Sequence, residues 1–87
     1  MMDRTEGCLA KSLAGHDKGS FYIIIRAEHE YVYLSDGRHH PIDKPKKKNR
    51  KHIQVSCQYD AGIRERLIEG DGIRNEEIIH FISTQKQ

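Results

Sequence analysis

Phe21–Ile25, FYIII, is the longest apolar run in this chain of 87 residues, and it restricts the fold more than any other stretch. It is far shorter than the about 20 apolar residues needed to span a bilayer. Its aromatic and β-branched side chains favour a strand, read here as Ser20–Glu28. Side chains alternate between the two faces of a strand. A strand that is apolar at consecutive positions therefore needs cover on both faces. One face is expected to look into a small β core and the other to meet a second layer. The length allows one domain, which buries somewhat over roughly 60% of its surface. A deep enclosed active site is hard to build at that size.

The neighbouring segments also read as β. Gly7–Leu13 is a strand, and Ala14–Gly19, AGHDKG, has the glycines and polar residues of a turn. Tyr31–Asp36 alternates Val32 and Leu34 against Tyr31, Tyr33 and Ser35, the pattern of a half-buried strand that Gly37 ends. His39–Asp43 is a short strand at best, because Pro41 and Pro45 cannot donate to a ladder. Lys51–Cys57 is the last strand. Short strands at near-regular spacing with turns between them predict a small barrel. The period then changes. Asp60–Gly70 places Ile63 and Leu67 four apart with Ile68 beside them, and Gly70 can close that helix in the left-handed conformation. Asn75 is expected to cap a second helix, with Glu76 and Glu77 in its first turn and Ile78, Ile79, Phe81 and Ile82 as its apolar stripe. The expected organisation is mainly β: a barrel over residues 1–58 and a helical C-terminal tail over 59–87 that folds back as the second layer.

Charge is segregated along this frame. KPKKKNRKH, residues 44–52, holds Lys44, Lys46, Lys47, Lys48, Arg50 and Lys51 without an acid. The chain carries a formal +2, so without those six cations the remainder would stand at −4. One basic stripe on a mildly acidic body is the footprint of a polyanion site. Lysines neutralise phosphates as point charges, and counterion release supplies affinity that does not depend on sequence. The run is expected to form an extended arm or loop, with Lys46, Lys47 and Lys48 exposed. The competing readings are a solvated charged loop and a nuclear targeting signal. Arg38, His39 and His40 extend the stripe. Tyr22, Tyr31 and Tyr33 can either stack on bases or pack under the tail, and packing is favoured because a small barrel needs that surface covered.

GCLAKSLAGHDKGSFYIII resembles a KOW motif: a strand, a glycine-bounded turn with an acid and a base, then an apolar strand. With DGRHHPIDKPKKKNRKHIQ in order after it, the chain is similar over about residues 6–55 to stand-alone KOW-domain RNA-binding proteins. These are related to large-subunit ribosomal proteins of archaea and eukaryotes. The resemblance implies an SH3-like barrel that binds RNA, often rRNA, without catalysis. Position by position it marks Gly15, Asp17, Lys18 and Gly19 in the turn, and Lys44, Pro45, Lys46, Lys47, Lys48, Lys51 and His52 in the basic block. A basic residue is common in the family where His16 stands here. With Arg50 and Arg38 added from the charge pattern, these are the candidate RNA-binding residues.

Other chemistries find little support. The six histidines and two cysteines have no CxxC, HxxxH or HExxH spacing, so no metal is expected. Cys8 and Cys57 are expected to be reduced, buried and unpaired in a cytoplasmic protein. Gly15–Gly19 lacks the pattern of a phosphate-cradling GxxxxGK[ST] loop. No nucleophile–base pair has a supporting motif. A non-enzymatic, cofactor-free monomer that binds RNA is the expectation. An SH3-like protein-interaction module, docking a basic partner on the acidic remainder, is the alternative.

Overall fold

The computed structural model describes residues 5–85. Strands β1 (Cys8–Ser12), β2 (Phe21–Ala27), β3 (Tyr31–Ser35), β4 (Lys46–Asn49) and β5 (Ile53–Tyr59) form one antiparallel sheet in the order β4-β3-β2-β1-β5. A 3-10 turn, Arg50–His52, joins the two edge strands, and helices α1 (Ala61–Glu69) and α2 (Asn75–Gln85) follow. The fold is thus mainly β with two helices, and the ladder is open, ending at β4 and β5. β5 runs to Tyr59, one residue past the expected division at 58.

β2 shows why FYIII is apolar throughout. Ile23 joins Leu9 of β1 and Ile63, Ile78, Phe81 and Ile82 of the helices in one buried cluster, with Phe21 and Ile25 partly buried against it. Tyr22 and Ile24 turn the other way and join Ala10, Val32, Leu34 and Ile53. Ile23 and Ile24, both fully buried, each contribute about 1.5–3 kcal/mol on opposite faces of one strand. A register shift between Ile24 and Arg26 then pairs Arg26 with Tyr33 and Ala27 with Val32.

The basic run does not form a free arm. Its central residues are strand β4, which pairs with β3 in the register Leu34–Lys46, Tyr33–Lys47, Val32–Lys48 and Tyr31–Asn49. His39–Asp43, offered as a short strand, is bend and turn instead. Pro41 carbonyl accepts from the Lys44 N–H at 2.9 Å there, so the backbone is turned rather than extended.

Helix α1 is capped by Asp60, whose carboxylate accepts from the Ile63 N–H at 3.0 Å, and it ends on Gly70 at φ 80°. α2 is capped differently from the expectation. Asn75 is its first helical residue, and its side-chain oxygen accepts from the Ile42 N–H at 2.9 Å in the β3–β4 connection. Glu77 reaches back instead and accepts from the Arg74 N–H at 2.9 Å, the carboxylate half of a capping box. The same carboxylate pairs with Arg66 and so ties α2 to α1. Gly37 makes the connection's close approach possible. It sits at φ 76°, and a Cβ there would lie 2.6 Å from the Asn75 carbonyl oxygen and 2.8 Å from Ile79 Cγ1.

Among the described residues no helix is long and apolar enough to cross a membrane.

Candidate nucleic-acid interface

Because β4 is a strand, its cations alternate. Lys46 and Lys48 share the face of their partners Leu34 and Val32, over the inner cluster, and Lys47 shares the outer face with Tyr33. The two inward lysines meet Asp17, delivered by the turn between β1 and β2. Lys48 Nζ donates at 2.9 Å to Asp17 Oδ1 and at 2.9 Å to the Ala14 carbonyl, and Lys46 Nζ lies 3.2 Å from Asp17 Oδ2. Tyr22 completes the set, its hydroxyl donating to Asp17 Oδ2 at 2.7 Å, and Ser12 Oγ lies 2.9 Å from Oδ1. The carboxylate and Lys48 are close to dry, at 11% and 10% side-chain exposure. Desolvation alone would raise the Asp17 carboxyl. Hydrogen bonds from Lys48, Tyr22, Ser12 and Lys46 outweigh it and hold the carboxyl well below the usual carboxylate range. Burial, then the Asp17 hydrogen bond and charge, push the Tyr22 phenol up.

The turn that carries Asp17 depends on its glycines. Gly15 and Gly19 take φ 88° and 93°, a region that L side chains rarely adopt. Between them the Lys18 N–H donates to the Gly15 carbonyl, and the Gly19 N–H returns to the Ser12 carbonyl at 2.9 Å. The role of Gly15, Asp17 and Gly19 in this geometry is to lock the turn onto β4, and Lys18 projects exposed from it.

Arg50 is also committed internally. Its Nε donates to the Glu28 carbonyl at 2.9 Å and the His29 carbonyl at 3.0 Å, and its Nη2 to Glu28 at 2.7 Å. It therefore staples the 3-10 turn to the β2–β3 connection. The expectation that Lys46, Lys47 and Lys48 are all exposed is corrected accordingly: Lys47 is exposed, whereas Lys46 and Lys48 are half-buried against Asp17. Lys44, Lys51, His52 and Arg38 are exposed with Lys47. None of these, nor Lys18, enters an ion pair among the described residues. The Leu13 N–H donates to the His52 carbonyl at 2.8 Å, which brings Lys51 and His52 to the base of the Ala14–Gly19 turn. Arg38 follows Asp36, whose carboxylate accepts from the Arg38 and His40 N–H groups at 2.9 Å each.

The tyrosines divide, and none packs in the helix–sheet cluster. Tyr22 is buried in the inner cluster. Tyr31 and Tyr33 face outward, with Lys47 Nζ 4.4 Å from the Tyr31 ring centre and the Arg26 guanidinium 5.4 Å from that of Tyr33. Arg26 was not among the sequence candidates, since it lies outside the basic run and only the strand register places it beside Tyr33.

Both described cysteines are free. Cys8 is buried, and burial pushes its thiol up. Cys57 is exposed, contrary to the expectation of a buried side chain, as is most of β5 beyond Ile53. Among the described residues no group of three or more His, Cys, Asp or Glu is placed to hold a metal ion. In comparisons with known proteins, no family model matches the chain and no curated protein matches it at a significant level.

Proposed function

We propose that this chain is a non-catalytic RNA-binding protein that holds the phosphate backbone of structured RNA, rRNA above all, through its exposed cations. The observation that carries the reading is the division of labour in residues 44–51. Lys46, Lys48 and Arg50 are spent on Asp17 and on backbone carbonyls, and Lys44, Lys47 and Lys51 are left exposed and, among the described residues, unpaired with acid. The first group fixes the second on a rigid frame. Unscreened like charges on a fixed surface cost free energy through self-repulsion unless a polyanion neutralises them. Residues 1–58 hold 11 Lys plus Arg against 7 Asp plus Glu, and 59–87 hold 4 against 6, so an RNA approaches the sheet side. Lys18 and Arg38 extend the contact surface.

An SH3-like KOW barrel, cytoplasmic and monomeric, is the finer fold and setting we attach to this reading. The barrel part of it is supported by the strand order, by the 3-10 turn between β4 and β5, and by the glycine-bounded turn that meets the basic strand. The protein-interaction alternative draws on a different place. Tyr59 is 47% exposed beside an open groove of about 640 Å3 floored by Ile63 and Phe81 and rimmed by Asp60, Glu76 and Glu77.

Titration with rRNA fragments at several salt concentrations separates the two. With Lys44, Lys47 and Lys51 on phosphates, replacing all three by Gln lowers the slope of log K against log salt by about 2 to 3, from roughly 0.7–0.9 per contact. Absence of binding at low salt, or an unchanged slope in the triple variant, overturns the RNA reading.

A further inference from the structure

The helices cover only part of the sheet's outer face. Ile23 and Ser35, paired across β2 and β3, are fully buried on the helical side. Further along the same face, past the register shift, Tyr33 is half-buried and Tyr31 is 36% exposed. Neither belongs to the helix–sheet cluster. Arg26 and Lys47 flank Tyr33 as its cross-strand partners, so Arg26, Tyr33, Lys47 and Tyr31 form one contiguous open patch. Leaving one exposed and one half-buried aromatic ring beside two exposed cations, on a face whose other half is sealed by apolar packing, calls for an occupant.

We propose that this patch is a stacking platform for unpaired bases of single-stranded RNA. The inference rests on the RNA-binding reading and names the part of the RNA that the sheet recognises. Base faces and cations are both attracted to an aromatic ring face. Lys47 and Arg26 therefore hold the rings in place when no RNA is bound, and can swing from ring to phosphate as bases land. Lys47 is the freer of the two, because Arg26 also pairs with Glu28 at 3.0 Å. Spacing selects the strand type. Two residues along a strand advance about 6.6 Å, roughly twice the 3.4 Å between stacked nucleotides of one strand. Bases seated on Tyr31 and Tyr33 are consequently separated from each other, which an extended single strand permits and a duplex forbids.

The test uses the full chain with three probes at fixed low salt: a short oligouridylate, an abasic oligomer with the same number of phosphates, and a duplex RNA of equal length. The variants are Tyr31→Leu and Tyr33→Leu, which keep apolar bulk on the strand, with melting curves to confirm folding. Stacking on one tyrosine is worth about a 5- to 150-fold change in affinity. The oligouridylate should bind tighter than the abasic oligomer by at least that factor, and each variant should remove its share from the base-bearing probe alone. If the abasic oligomer binds as tightly as the oligouridylate, stacking is overturned and phosphate binding stands. If the variants weaken all three probes equally, the tyrosines act only through the frame and the platform is likewise overturned. If no probe binds, the RNA reading falls and the platform falls with it.

Discussion

Lys47→Gln and Lys48→Gln alter neighbouring lysines in the same basic run, and the structure gives them opposite consequences. Lys48 Nζ donates to the Asp17 carboxylate and to the Ala14 carbonyl, both at 2.9 Å, from a side chain 10% exposed. A hydrogen bond to a charged partner contributes about 1.5–3 kcal/mol. Lys46, Tyr22 and Ser12 still serve Asp17 after the change, so the cost of Lys48→Gln stays in that range. For a domain of this size, 1 kcal/mol moves the melting temperature by about 4–8 °C, which gives a fall of about 6–24 °C. Lys47 lies exposed over Tyr31, and its replacement should stay within about 0.5 kcal/mol. Asp17→Asn should cost most, about 3–5 kcal/mol, because it strands two lysines at once. Circular dichroism melts give the stability order, and salt titrations with RNA give the complementary one. Lys47→Gln should reduce the salt slope by about 0.7–0.9, whereas Lys48→Gln should leave it unchanged under conditions where the variant is folded. Coincident melting curves for Lys47→Gln and Lys48→Gln would refute the split of the run into inward and outward residues.

Stability should also respond to acid. The folded Asp17 carboxyl sits below its unfolded value of about 3.9, so its contribution is complete above that value and is lost as pH falls toward the folded one. Asp17→Asn should flatten the acid limb of a stability–pH profile, with Asp36 and Glu77, also lowered, keeping a residual slope. Gly37→Ala should destabilise by about 1–3 kcal/mol or more in urea melts, from the positive φ and the clash with Asn75, and Gly72→Ala, where a Cβ meets open space, should not. Phe81→Ala should cost about 3–5 kcal/mol, since the ring is 8% exposed between α2 and the sheet; an unchanged melt would mean that α2 does not pack there. A thiol reagent should modify Cys57 in the native protein and reach Cys8 only on unfolding, and equal rates would contradict the burial of Cys8 beneath the surface that leaves Cys57 exposed.

Local chemistry alone was enough to locate most elements. FYIII required cover on two faces whatever the fold, because strand side chains alternate. Gly70 ends α1 because glycine takes the left-handed conformation without a Cβ penalty, and Ile63, Ile78, Phe81 and Ile82 fell on the buried side through helical periodicity. The glycine-bounded turn was equally legible, since Gly15 and Gly19 supply its positive φ angles. β4 was not legible. KKKN has no β-branched or aromatic residue, and its strand form comes from pairing with β3. That pairing decided which lysines point inward, and the turn delivered Asp17 to them across 31 and 29 positions of sequence. Asn75 shows the same limit: as a helix-start residue it reads as a cap, yet the Ile42 N–H, 33 positions away, takes its oxygen. Composition determined that a basic stripe exists. Only the tertiary structure decided which of its charges bind the protein to itself and which stay exposed, because the direction of a side chain depends on strand register and on contacts distant in the chain.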